Sequence, residues 1–420
     1  MNNIKSNSVL IKGMNPLRGT VSAQGSKNAT LPILSALPLL SEVELYNVPD
    51  LSDTHEMLSI LKHLGATYTF DNGHLSMNLE KLQNNDVSFE FTSKMRASSL
   101  FMGPLLSRFG KSTVGMPGGC VIGSRPLDIH LLGFEHLGAT VENNNGVIIS
   151  SLKDGKGLEG EFTLSFPSVG ATQNLISASV FSPSVVTLHN VAIEPEVMEM
   201  ITFLNKAGAN IKLKDQNTLV IQGVSKLNKV THSIQPDRIE VFTLLVAGIV
   251  SKGSVTVVNC EPEHLSSPLQ ALVQMGAKIE LGENSITASY VGKLNGIKVQ
   301  TGVYPSFPTD CQQQISVAML HAETPSVLIE KVFNSRFRHL DELQKMGAKI
   351  KIENNVAVIE HSELSFATLD SFDLRGAASM ILAGLSSTGI TKVSSLHYLY
   401  RGYEGFVEKL NHLGADISYV

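Results

Sequence analysis

Apolar residues recur along this chain with two alternating periods. Met57, Leu58, Leu61 and Leu64 fall three and four positions apart, as on one face of an amphipathic helix, and Phe406, Val407, Leu410 and Leu413 repeat the stripe near the C-terminus. Stripes of this kind end on a Gly-Ala pair six times, at Gly65-Ala66, Gly138-Ala139, Gly208-Ala209, Gly276-Ala277, Gly347-Ala348 and Gly414-Ala415. The glycines stand 73, 70, 68, 71 and 67 residues apart, a near-constant period that marks six copies of one unit. Each sits where a helix C-terminus needs a left-handed residue.

After the first five pairs the period changes to two. Short alternating segments flank Asp71-Asn72-Gly73, Asn144-Asn145-Gly146, Asp215-Gln216-Asn217, Gly282-Glu283-Asn284 and Glu353-Asn354-Asn355, and each set predicts a hairpin. The sixth copy stops after one strand, Asp416-Ile417-Ser418-Tyr419-Val420. At the other end, Ser8-Val9-Leu10-Ile11-Lys12-Gly13 resembles Thr218-Leu219-Val220-Ile221-Gln222-Gly223, so the N-terminal strand is expected to complete the last unit. Unpaired apolar strand edges favour such closure. The expected organisation is α/β, with two domains of three units: 21–229, and 1–20 with 230–420.

Every unit also has an earlier helix. Their openings read Gly25-Ser26-Lys27-Asn28-Ala29, Lys94-Met95-Arg96-Ala97-Ser98, Pro167-Ser168-Val169-Gly170-Ala171, Pro236-Asp237-Arg238-Ile239, Pro308-Thr309-Asp310-Cys311 and Asp373-Leu374-Arg375-Gly376. Helix N-termini attract anions through unpaired N–H groups and the macrodipole. Lys27, Arg96, Arg238 and Arg375 at equivalent places point to phosphate or carboxylate ligands. The plainer reading makes Ser26, Thr309 and Asp373 simple caps and the cations surface residues.

Composition narrows the choice. With 43% hydrophobic and 17% charged residues the 420-residue chain is globular, and a net charge of -5 without a basic block argues against nucleic acid or a membrane surface as partner. Three cysteines without Cys-x-x-Cys spacing fit a reducing, cytoplasmic compartment and no disulfide framework or zinc site. No apolar run is long enough to span a bilayer. Gly110-Lys111-Ser112-Thr113 ends like a P-loop, but Leu105 stands where its first glycine is required. No dinucleotide fingerprint or His-Glu-x-x-His occurs, so no metal and no cofactor are expected.

One stretch carries a different signal. In Met116-Pro117-Gly118-Gly119-Cys120-Val121-Ile122-Gly123-Ser124-Arg125-Pro126-Leu127-Asp128-Ile129-His130, glycines and prolines surround a thiol with a cation five residues on. That pattern reads as a reachable, mobile loop with a reactive cysteine, against the plainer reading of a packed thiol.

With these parts assembled, the sequence closely resembles the UDP-N-acetylglucosamine enolpyruvyl transferases, whose reaction opens bacterial peptidoglycan synthesis. The resemblance covers essentially the whole chain. It rests on Ser26 to Ala29, Met95 to Ser98, the Cys120 loop with Arg125 to Asp128, Pro236 to Glu240, Phe307 to Asp310, Asp373 to Arg375 and Arg401-Gly402-Tyr403-Glu404. It implies two inside-out α/β domains, each of three βαβαββ repeats about a pseudo-threefold axis, with the active site in the cleft between them. It further implies transfer of the enolpyruvyl group of phosphoenolpyruvate to the sugar 3-hydroxyl, with release of phosphate.

By the same resemblance Cys120 is the acid and can form an adduct with phosphoenolpyruvate, and Asp310 is the candidate base, against the plainer reading of an N-cap or a partner of Arg375. Lys27, Asn28, Arg125 and Arg401 hold phosphoenolpyruvate, and Arg375 supports the floor. Arg96, Arg125, Pro126, Leu127, Asp128, Ile129, Ser168, Val169, Asp310 and Val332 line the UDP-sugar. Arginine near Cys120 favours thiolate, which suits a nucleophile; bound phosphoenolpyruvate pushes the other way and restores an acid. Where some members carry a lysine, this chain has Phe166 before Pro167-Ser168-Val169. Two other readings compete: the related shikimate-phosphate synthase, disfavoured by the Cys120 loop, and a ring-like six-unit scaffold, which leaves Cys120, Asp310 and Arg401 without a role.

Overall fold

The computed structural model describes residues 6–117, 127–153 and 157–420. They contain six four-stranded sheets of one topology: an edge strand parallel to its neighbour, which pairs antiparallel with a third strand, itself antiparallel to the other edge; in five sheets the last two form a hairpin. The described residues divide into two units, one of 6–24 and 236–420, the other of 25–117, 127–153 and 157–235. Each holds three sheets and its own apolar core.

All six Gly-Ala glycines have positive φ, from 92° at Gly347 to 112° at Gly65, each one residue beyond a helix C-cap. The side-chain-free residue is needed there because the chain reverses into a strand within two residues. Asn72-Gly73 and Asn145-Gly146, with φ of 48° and 75° and of 52° and 84°, close hairpins in the two-residue turn that suits strand twist.

The strand Ser8–Lys12 lies between Ile390–Ser394 and Asp416–Tyr419 and gives the sixth copy the partner its own sequence lacks. Two edge strands are exchanged. Arg18–Ser22 leads into the helix Lys27–Ala36 but pairs with Ser254–Val258, and Val230–Ser233 leads into Arg238–Val250 but pairs with Glu42–Tyr46. The chain therefore changes unit after these strands, at Gln24/Gly25 and Gln235/Pro236. These boundaries lie a few residues beyond the expected 20/21 and 229/230, because neither strand's partner is local.

At the middle of each unit stand the early helices of its three repeats. In Arg238–Val250 every residue is buried, and in Leu374–Ser386 all but the first. A helix that is apolar or small all round has no solvent face to offer. Four hydroxyls inside these helices bond their own backbone: Thr30 to Ser26 O, Ser179 to Leu175 O, Thr243 to Ile239 O and Ser379 to Gly376 O. Such back-bonding satisfies a buried hydroxyl without a partner element.

Candidate active site

In the unit containing 236–420, the carboxylate of Asp310 is held by two guanidinium groups. Arg336 Nη2 donates to Oδ1 at 2.8 Å, and Arg375 Nη2 donates to Oδ2 at 3.2 Å. Asp310 sits in the short 3-10 turn Thr309–Cys311 that opens the helix Gln312–Met319, and Arg375 is the second residue of Leu374–Ser386. Two cations about one carboxylate fix its direction and favour its ionised form. Arg375 is almost wholly buried; burial works against its charge, but Tyr403, Asp310 and Asp237 overcome it, so its pKa moves up.

Thr309 is no helix cap. Its hydroxyl donates to Glu330 Oε2 and accepts from Arg336 Nη1, both at 2.8 Å. The caps in this unit are aspartates: Asp237 accepts from Ile239 N and Glu240 N, and Asp373 from Arg375 N and Gly376 N. Arg238 follows the first cap and lies over the ring of Tyr304. Val332 donates its backbone N–H to Glu330 Oε1 at 2.7 Å.

Arg401 ends the 3-10 turn Leu399–Arg401, and the residues just after it are fixed by Gln24. The Gln24 amide donates to Gly402 O and accepts from Glu404 N, while its backbone N–H donates to Glu240 Oε2. Glu240 is fully buried, a condition that raises its pKa, and Lys409 Nζ at 2.6 Å supplies the compensating charge.

In the other unit, Ser26 caps Lys27–Ala36 by accepting from Ala29 N. Lys27 pairs with the buried carboxylate of Asp53 at 3.1 Å, and Asn28 follows on the same first turn. Ser168 caps Val169–Ser179 in the same way, through Ala171 N. Arg96 opens the 3-10 helix Arg96–Phe101, half-buried. Leu127 is buried and precedes the helix Asp128–His136, with Asp128 exposed and Ile129 partly covered.

His130, in that helix, is held in one tautomer. Asn174 Oδ1 accepts from Gly103 N at 2.7 Å, so its Nδ2 is the donor, to Ser99 O and to His130 Nδ1, both at 2.9 Å. A nitrogen that accepts from an amide carries a lone pair, which assigns the ring proton to Nε2. Burial, and then the charge of Arg96, pushes the His130 pKa down to about 3. The ring lies against Gly170, where an added Cβ would stand 3.4 Å from Nε2. A neutral N–H donor thus borders the open first turn of Val169–Ser179.

Cys120, Arg125 and Pro126 lie outside the described residues. Cys260 and Cys311 are buried free thiols whose pKa burial raises, to about 11 for Cys260, which suits packing rather than reaction. Among the described residues no three or more His, Cys, Asp or Glu gather as metal ligands, and no helix is long and apolar enough to cross a membrane.

The structure brings Asp310 to Arg375, and Ser168 and Val169 to one helix start; the partners Arg336, Glu330, Gln24, Asp53 and Asn174 escaped the sequence reading. Arg336 lies 26 residues from Asp310 along the chain and Asn174 lies 44 from His130, and no local pattern joins such positions.

Comparison with known proteins places the chain among relatives. The family model for EPSP synthase (3-phosphoshikimate 1-carboxyvinyltransferase) matches residues 11–410. UDP-N-acetylglucosamine 1-carboxyvinyltransferase 1 from each of two strains of Staphylococcus epidermidis is 43% identical over 418 residues, covering 98% of this chain and 99% of the relative. Among solved structures, the enolpyruvyl transferase NikO from Streptomyces tendae superposes with a TM-score of 0.88 at 24% identity over 99% of both chains. EPSP synthase from Acinetobacter baumannii gives 0.75 at 16% identity, covering 98% of this chain and 100% of that one. Both structures bear on the fold alone.

Proposed function

The chain belongs to the EPSP synthase family of carboxyvinyl transferases, and on that premise we propose that it transfers the enolpyruvyl group of phosphoenolpyruvate to the 3-hydroxyl of UDP-N-acetylglucosamine. The observation that carries this reading is 43% identity, over nearly the full length, to relatives named for that reaction.

The chemistry is addition followed by elimination. The sugar oxygen bonds to C2 of phosphoenolpyruvate as its proton passes to a base and C3 gains a proton from an acid. In the second step C3 loses a proton and the C2–O bond to phosphate breaks, its electrons leaving with phosphate. Asp310 is the base; Arg336 and Arg375 keep it ionised, the form a base requires, and aim its oxygens. Cys120 is the acid. Lys27, Asn28, Arg125 and Arg401 hold the phosphate and carboxylate, where fixed cations stabilise the charged ketal. The first turn of Val169–Ser179, with Ser168 and Val169, takes an anionic oxygen of the UDP-sugar, and Arg96, Arg125, Pro126, Leu127, Asp128, Ile129, Asp310 and Val332 are assigned by the same resemblance to that substrate.

Phosphate release from phosphoenolpyruvate tests this. It should require UDP-N-acetylglucosamine and collapse in Cys120→Ser. The family model's own description supports a second reading, with shikimate 3-phosphate as acceptor. Release with that acceptor in place of the UDP-sugar would establish it and overturn the first.

A further inference from the structure

The residue following the strand that pairs with each parallel edge is a strand-tying asparagine in three of the six sheets and a buried carboxylate in one, at the site. After Glu42–Tyr46, Val185–His189 and Ser254–Val258 stand Asn47, Asn190 and Asn259, each with φ near 55°. Each side-chain amide donates to the carbonyl just past its own parallel edge strand, at Ile234, Leu164 and Ala23. The device ties two strand ends together. After Ser326–Ile329 the equivalent residue is Glu330, buried and lacking the positive φ.

Four donors converge on Glu330. Oε1 accepts from Thr301 Oγ1 at 2.8 Å, Val332 N at 2.7 Å and Phe333 N at 3.1 Å, and Oε2 accepts from Thr309 Oγ1 at 2.8 Å. An asparagine has one acceptor oxygen and could not serve them. The Thr309 hydroxyl has a single proton; given to Glu330, it leaves only lone pairs for Arg336 Nη1 at 2.8 Å. The other arm of that guanidinium, Nη2, holds Asp310. Each link has one direction only, and the last is the carboxylate assigned as base.

We propose that Glu330 is a positioning residue for Asp310, acting through Thr309 and Arg336. The proposal rests on the role of Asp310 given above. Glu330 touches neither substrate in this scheme; it fixes which way the Thr309 hydroxyl points, hence where the Arg336 fork lies and which rotamer Asp310 holds. Displacing a base by a fraction of an ångström is felt in the chemical step.

Steady-state kinetics of phosphate release from the full chain test this with Glu330→Gln, Thr309→Val, Thr309→Ser, the double variant Thr309→Val/Glu330→Gln and Asp310→Asn. Asn259→Ala, at the equivalent place in another sheet, controls for loss of a strand tie. The relay requires that Glu330→Gln and Thr309→Val lower kcat by a similar factor, roughly 10- to 100-fold. KM for phosphoenolpyruvate should stay within about twofold, since the relay acts on the base and not on that ligand. Thr309→Ser, which keeps the hydroxyl, should restore kcat, and the double variant should be no worse than either single one. Asn259→Ala should lose stability without losing kcat. Thr309→Val at wild-type kcat, or multiplicative losses in the double variant, overturns the relay while Asp310→Asn remains inactive. Wild-type turnover in Asp310→Asn instead removes the base, and the relay with it. Should Glu330→Gln fail to fold, the two Thr309 variants decide.

Discussion

The two units build the same helix starts from different caps. In the unit of 236–420 the caps are aspartates, each accepting two backbone N–H groups, and the cations beside them, Arg238 and Arg375, are buried at 7% and 1% exposure. In the unit of 25–235 the caps are Ser26 and Ser168, each accepting one N–H, and Arg96 opens its helix with no side-chain cap at all. An aspartate brings its own negative charge to the positive end of the helix, whereas a serine satisfies a donor and leaves the field for a ligand. One unit neutralises its helix starts internally and can hold an oriented carboxylate there; the other keeps them receptive to anions. Repetition supplies the geometry, and the cap chooses the chemistry.

The widest separation between the units is expected in turnover. Asp310→Asn should reduce kcat by roughly 10²- to 10⁴-fold, the usual worth of a positioned base, in the phosphate-release assay. A comparable fall in kcat from Ser168→Ala would mean that a serine-capped helix start, too, acts in the chemical step. Next comes stability. Arg375→Met should cost about 3–5 kcal/mol, because it leaves Asp310 short of a buried partner. Arg96→Met, on a half-buried turn, should cost about 1 kcal/mol or less. Urea denaturation measures both, and equal losses would mean that the cations of the two units are equally structural.

How much of this the residues announce depends on range. The six helix stops were legible because a left-handed φ at a helix end is a local demand that glycine meets, and the same holds for the Asn72-Gly73 and Asn145-Gly146 turns. Ser26 reads as a cap from its neighbours alone. Thr309 misleads for the opposite reason: it has the sequence of a cap, but Glu330 and Arg336, 21 and 27 residues away, claim its hydroxyl first. The exchange of Arg18–Ser22 with Val230–Ser233 is similarly hidden, since both are ordinary short strands whose choice of sheet is made by partners more than 180 residues distant. The carboxylate at 330 was not legible, because Thr301, Thr309 and the backbone of Val332 and Phe333 meet it only in the fold.

Acid should distinguish the units by a smaller amount. Burial pushes His130 down to about 3 in one unit, and His339 to about 3 and His321 to about 4 in the other. Unfolded, each titrates near 6.5. Below that pH the unfolded chain binds protons that the folded chain refuses, so the stability contributed by each neutral ring is complete above about pH 6.5 and declines as pH falls toward the folded pKa. The limiting slope is about 1.4 kcal/mol per pH unit for each histidine. His321→Gln, which keeps a polar partner for Ser386, should flatten the decline between pH 6 and 4.5 by that slope, measured by urea midpoints at stepped pH. An unchanged slope would mean that His321 already takes up its proton in the folded state.

The smallest expected effect on the fold is the sharpest test of the comparison, because it gives one unit the other's cap. Aspartate serves as an N-cap as well as serine does, and its charge suits the helix dipole, so Ser168→Asp should leave the denaturation midpoint within about 0.5 kcal/mol of wild type. Its consequence for binding should have the opposite sign. The new carboxylate would occupy the first turn of Val169–Ser179, bordered by the neutral Nε2–H of His130 and by Arg96, and an anionic oxygen of the UDP-sugar would then meet a like charge. At a partly solvated site this repulsion is worth about 1 kcal/mol, a roughly fivefold rise in KM for UDP-N-acetylglucosamine that salt should reduce. KM for phosphoenolpyruvate should hold, since Lys27 and Asn28 stand on a different helix start. Were KM for the UDP-sugar unchanged, the serine cap would be a matter of folding alone, and the contrast between the two units would reduce to a choice between equivalent caps.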